Sequence, residues 1–211
     1  MDLRRRKKSP CPRSGLALWR FRGTPGSAAL FCVLALAGAV FTGCGANPRE
    51  NNAAREGLPE RVGGIDYNVY ITRELNLRDV EDAGYYKGAE APPGFALYGV
   101  FLTACNPEEA ADSPNVPSAD DFTVIDTQGN RFKPLPQPAD SVFAYQAQPL
   151  KHLACIPKEG SLASTGPTNG SLLVFKLPLR TLENRPLDLE IVSPPDPHTG
   201  DRDTGRIELD V

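Results

Sequence analysis

Beyond residue 64 the chain alternates apolar and polar positions with a period of two, the signature of extended strands with one buried face. In Ile65-Asp66-Tyr67-Asn68-Val69-Tyr70-Ile71-Thr72-Arg73, the residues Ile65, Tyr67, Val69 and Ile71 share one face. Phe95 to Ala104 is apolar on both faces, as expected of a central strand in a layered core. Phe122–Asp126 and Arg131–Lys133 flank Thr127-Gln128-Gly129-Asn130, a Gly-containing turn that predicts a hairpin. Leu172–Leu177 is a further apolar strand, stopped by Pro178. Alternation returns at Leu187, Leu189 and Ile191, and again at Ile207, Leu209 and Val211. About seven strands with no convincing helix between them predict an all-β antiparallel sandwich.

Composition agrees. The 211 residues include 21 Pro and 19 Gly, too much punctuation for a helical bundle. The net charge of −3 conceals an uneven distribution: residues 1–43 hold eight basic side chains and one acidic one. The remaining residues hold 15 basic and 25 acidic side chains. An acidic body repels nucleic acid and anionic head groups, so no nucleic-acid partner is expected.

The basic segment leads into Ser27–Gly43, 17 residues without a charge, which as a helix would span about 26 Å. It ends in Phe41-Thr42-Gly43-Cys44, which resembles the lipobox of bacterial lipoproteins, with Phe41 where Leu is usual. The resemblance implies a signal peptide over 1–43 and an acylated (palmitate-type) Cys44 that anchors the protein on the extracytoplasmic face of the cell membrane. The alternatives are a retained signal anchor and simple secretion. Residues 44–63 read as a polar tether, and 64–211 as the folded domain.

Cys105 and Cys155 are the two cysteines of the expected domain. In an exported chain such a pair most simply forms a disulfide, here closing 51 residues, for which chain entropy gives roughly 4 kcal/mol. The competing readings are a metal pair or a redox pair. Neither cysteine lies in C-x-x-C, and His152 alone completes no tetrahedral site.

Leu102-Thr103-Ala104-Cys105-Asn106, then Ile125–Phe132 around the hairpin turn, then Gly170–Pro178 occur in an order similar to the immunoglobulin-like (telokin-like) domains of many bacterial lipoproteins. The resemblance implies an immunoglobulin-like sandwich over roughly residues 62–211, with long insertions at 106–121 and 134–170. It carries no catalytic residues and implies no cofactor.

Motifs for chemistry are sparse. The two histidines, His152 and His198, sit in Pro-rich stretches, and there is no nucleophile elbow, zinc-protease motif or phosphate loop. Asp201-x-Asp203-x-Gly205 partly echoes a calcium loop but lacks a third acid and contains Arg202; its plain reading is a solvated turn, and no metal site is assigned. The acidic run Glu108, Glu109, Asp112, Asp120 and Asp121 reads likewise as a solvated loop. The expected function is therefore a lipid-anchored binding or scaffolding module rather than an enzyme, with an envelope protein as partner. The alternatives are a carboxylate-dependent hydrolase or a small-molecule or metal carrier on the same sandwich. Within the second insertion, Phe143 and Tyr145 are candidate partner contacts, set against a role as cover for an open end of the sandwich.

Overall fold

In the computed structural model, which describes residues 53–108 and 114–211, the chain forms twelve strands in order. They begin with β1 (Ala54–Arg55), β2 (Glu60–Val62) and β3 (Ile65–Glu74), followed by a short helix α1 (Val80–Tyr85) and the long β4 (Phe95–Cys105). Next come β5 (Val116–Pro117), β6 (Asp121–Ile125), β7 (Arg131–Phe132), β8 (Pro149–Leu150) and β9 (Cys155–Ile156). After a single helical turn α2 (Leu162–Thr165) follow β10 (Ser171–Pro178), a 3-10 turn over Leu179–Glu183, β11 (Leu187–Val192) and β12 (Thr204–Leu209).

The seven strands read from periodicity are β3, β4, β6, β7, β10, β11 and β12. The five additional ones span two or three residues each, too short for a period to register. One sheet runs β1-β12-β11-β6-β7 and the other β10-β4-β3-β2, with β9 also on β4; β5 and β8 pair separately. All pairings between strands are antiparallel except β1 with β12. The two sheets pack face to face as a sandwich. Phe122, Val124, Leu187, Leu189, Ile191 and Ile207 from one sheet meet Ile65, Tyr67, Val69, Leu102 and Phe175 from the other, all buried. Each large apolar side chain so buried contributes roughly 1.5–3 kcal/mol of transfer free energy.

The apolar character of β4 on both faces has a physical cause. Its Ala96, Tyr98, Val100, Leu102 and Ala104 face the main core, whereas Leu97 and Phe101 join a second cluster with Leu75, Tyr85, Tyr86, Leu172 and Val174. That second cluster is roofed by α1 and its flanks. A Cβ at Gly99 would come within 2.9 Å of the end of the Leu172 side chain and 3.1 Å of that of Leu75, so this cluster packs closely against the strand.

Helix α1 went unforeseen because six residues carry too little periodicity to announce it. The Asp79 side chain accepts from the Glu81 N–H (2.8 Å) and caps it. Asp82, buried, pairs with Arg73 of β3 and accepts from the Asn76 N–H.

The tether expected over 44–63 is revised in its second half. Residues 53–63 belong to the folded domain: β1 pairs with β12, β2 pairs with β3, and Val62 is buried. The signal segment, Cys44 and residues 45–52 lie outside the described residues.

Candidate functional site

Cys105 and Cys155 are disulfide-bonded, and they are register partners at the end of the β4–β9 ladder. The next residue, Asn106, is fully buried and holds the second insertion: its N–H donates to the Ala154 carbonyl (2.9 Å) and its Nδ2 to the Leu150 carbonyl (3.2 Å). The bond thus ties the end of a core strand to the second insertion. His152 is exposed nearby.

Phe143 and Tyr145 are placed differently from the expected contact patch. Phe143 is half-buried and stands edge-on to Tyr85, with ring centroids 4.9 Å apart. Tyr145 stands edge-on to Phe122 at 5.0 Å, and its hydroxyl donates to the Ala119 carbonyl (2.9 Å). The Ala119 N–H in turn donates to the Tyr67 hydroxyl (2.6 Å). Burial pushes both the Tyr67 and the Tyr145 phenol up, so these hydroxyls stay protonated. The backbone around them is equally committed. Leu172 donates to the Phe143 carbonyl (2.6 Å), Tyr145 to the Leu172 carbonyl (3.0 Å) and Leu135 to the Val174 carbonyl (2.6 Å). The second insertion therefore covers the open edge of β10, and its two rings are packed into the two cores. The partner-contact reading of Phe143 and Tyr145 gives way to the covering role.

A groove with a cavity volume of about 670 Å³ lies where three connections meet. They are Gly63 in the β2–β3 turn, residues 114–117 around β5, and the 193–203 connection between β11 and β12. Gly63 takes φ +57° and approaches Ser193 so closely that a Cβ would sit 2.6 Å from the serine Cβ. Only glycine allows that approach. Five lining residues are prolines: Pro114, Pro117, Pro194, Pro195 and Pro197.

The 193–203 connection is stiffened by its own hydrogen bonds. The Asp196 carboxylate accepts from the His198 N–H (2.7 Å) and the Thr199 N–H (2.9 Å). Asp196 and Gly200 N–H groups donate to the Asp201 and Asp196 carbonyls (2.8 Å each), and Asp201 N–H donates to Thr199 Oγ1 (3.2 Å). Ser193 and Asp203 exchange two bonds of 2.9 and 2.8 Å, and the Asp203 carboxylate accepts from the Gly63 N–H (3.0 Å). In the Asp201-x-Asp203-x-Gly205 segment, Asp203 ties two connections together, and Gly205 lies inside β12. Among the described residues no group of three or more His, Cys, Asp or Glu side chains gathers to hold a metal ion.

Sequence reasoning singled out residues 196–205 but not the groove. The prolines were visible as composition. Their convergence depends on topology that brings 114–117 beside 193–203, for which the sequence carries no local signal.

The carboxylates bear on the hydrolytic alternative. Asp82 and Glu190, both buried, are held by arginines: Arg73 on the first, Arg131 and Arg206 (2.8 Å) on the second. Asp126, also buried, accepts from Gln128 N–H (2.9 Å), Asn130 N–H (2.8 Å), and the Asn130 and Asn184 amides, closing the β6–β7 turn. In the groove, backbone hydrogen bonds from Thr199 and His198 hold the Asp196 carboxyl below the ordinary range. A general acid needs the opposite shift. Glu60 is shifted upward, first by burial and then by the charge of Asp203, but Glu60 does not line the groove. Compared with known protein families, with curated proteins and with solved structures, the chain matches none.

Proposed function

We propose that the protein is a lipid-anchored module on the extracytoplasmic face of the cell membrane that binds or scaffolds an envelope partner, like the immunoglobulin-like lipoproteins it resembles. The observation that carries this reading is the Cys105–Cys155 bond in a domain that follows Phe41-Thr42-Gly43-Cys44. A structural disulfide suits an oxidising compartment, and the lipobox-like sequence supplies the route to it. A rigid sandwich with a stiffened, proline-lined groove suits recognition, because little conformational entropy is lost when a preordered surface meets a partner. The acidic domain keeps nucleic acid away.

The test is processing and capture in the producing cell. Mass spectrometry of the mature N-terminus is expected to find acylated Cys44, and Cys44→Ala to leave an uncleaved precursor. Crosslinking in intact membranes is expected to yield a defined partner. An unmodified N-terminus together with normal processing of Cys44→Ala would refute the anchor; absence of any crosslinked partner would refute the binding role.

A further inference from the structure

The groove at Gly63, residues 114–117 and the 193–203 connection has an uneven hydrogen-bonding character. Its five prolines have no N–H to offer, only carbonyls. The N–H groups of Gly63, Ser193, Asp196, His198, Thr199, Asp201 and Asp203 already donate within the fold. Donors are left to the side chains of Asn115, His198, Thr199 and Arg202, while the proline carbonyls and the aspartates make acceptors the larger share. The charges point the same way. Asp196, Asp201 and Asp203 line the groove, and the one arginine there, Arg202, is engaged 3.8 Å from Asp121 of β6. The proline rings and Val116 supply apolar surface between these acids.

We propose that this groove takes an extended protein segment in which an arginine or lysine stands beside apolar side chains. Such a segment brings donors to a surface of acceptors, positive charge to three carboxylates, and an apolar body to the proline rings. An acidic or acceptor-rich ligand meets the wrong chemistry on all three counts. The volume of about 670 Å³ fits a few side chains of an extended chain. Asp201 is the carboxylate to engage the guest cation, because it is exposed and carries none of the side-chain bonds that hold the connection together. This inference rests on the binding-module reading and names the chemistry of its partner.

Two nine-residue peptides with one Leu/Pro frame, carrying either two arginines or two glutamates, test it on the mature chain in nonionic detergent. With the arginine peptide, amide resonances of Gly63, Ser193, Asp196 and residues 198–203 are expected to shift and saturate. The glutamate peptide is expected to leave them unmoved. Asp201→Asn is expected to weaken arginine-peptide binding roughly fivefold while keeping the melting temperature. Equal binding of the two peptides, shifts located elsewhere, or an unaffected Asp201→Asn variant would overturn the proposal. Equally tight binding of free arginine methyl ester would also overturn it, identifying a small cation as the occupant. The two readings fail separately. A membrane partner crosslinked to a different face removes the groove and keeps the module. Saturable peptide binding without any partner in membranes keeps the groove chemistry and removes the module.

Discussion

At the scale of single residues, buried charge is the feature with the clearest consequence. Glu190 sits in the middle of β11 and pairs with Arg206 of the adjacent β12 and with Arg131 of β7, which lies one strand beyond β6, so one carboxylate ties three strands of the sheet. Burial pushes its carboxyl up, but hydrogen bonds and charge from the two arginines outweigh that and hold it below its ordinary value of 4.5. A carboxyl with a lowered folded-state pKa contributes stability that is fully present above the unfolded pKa. That contribution is lost as pH falls through the folded value. Glu190→Gln is therefore expected to cost about 1–2 kcal/mol at pH 7, the arginines being partly exposed and able to reach water. Below about pH 4.5 the difference from the parent is expected to shrink as the parent loses its own ion pairs. Urea unfolding at pH 7 and pH 3 measures this. A gap that widens toward acid would show that Glu190 is not the group being titrated.

At the scale of elements, the second insertion is held by the fold it covers. Phe143 belongs to the outer cluster and Tyr145 to the main core, so Phe143→Ala with Tyr145→Ala opens two separate packing defects. Half-buried rings of this kind are worth about 2 kcal/mol each, and a domain of this size loses roughly 3 °C per kcal/mol. The double variant is expected to melt roughly 10 °C lower. A melting temperature that hardly moves would return the two rings to the surface role first expected of them. The disulfide that ties the same insertion to β4 closes the 50-residue separation between Cys105 and Cys155, and its reduction is expected to cost about 2–5 kcal/mol. Unchanged urea unfolding after reduction, with both thiols then free to alkylation, would remove that role. These elements also show how far the chain can be read unaided. Long strands such as β3, β4 and β10 announce themselves because their side chains alternate or run apolar over eight or more residues. The packing of Phe143 and Tyr145 does not, because a segment covering a sheet edge has the same composition as one offered to a partner. The groove is less legible still. Its prolines and aspartates are ordinary turn residues until the β11–β12 connection meets Gly63 and β5.

At the scale of the whole molecule, the decisive quantity is where the folded chain begins. If 44–63 were all tether, the domain would start at residue 64 and nothing before it would matter to stability. Instead the segment 53–63 completes both sheets. Ala54 and Arg55 pair in parallel with Ile207 and Glu208, and the Glu56 N–H donates to the Glu208 carbonyl (3.1 Å). The Glu56 carboxylate then bridges the sheets, accepting from the Thr72 N–H (2.8 Å) and the Asp210 N–H (3.0 Å). Val62 fills the core, and the Gly63 N–H holds the Asp203 carboxylate at the groove. Removing residues 1–63 strips partners from β12 and β3 together and leaves two bare strand edges, the usual route to edge-to-edge association. Removing only residues 1–52 touches none of these bonds. The shorter deletion is expected to melt with the mature protein and run as a monodisperse species. The longer one is expected to melt about 5–10 °C lower, to aggregate on heating, and to lose the groove's arginine-peptide binding as Asp203 loses its Gly63 partner. Under the proposed acylation of Cys44, the same boundary would limit the domain's reach, because eight residues, 45–52, separate Cys44 from Ala53 and an extended chain of that length spans at most about 28 Å. A module so anchored would meet its partners at the bilayer surface. Equal melting of the two deletions would place the boundary back at residue 64 and lengthen that reach.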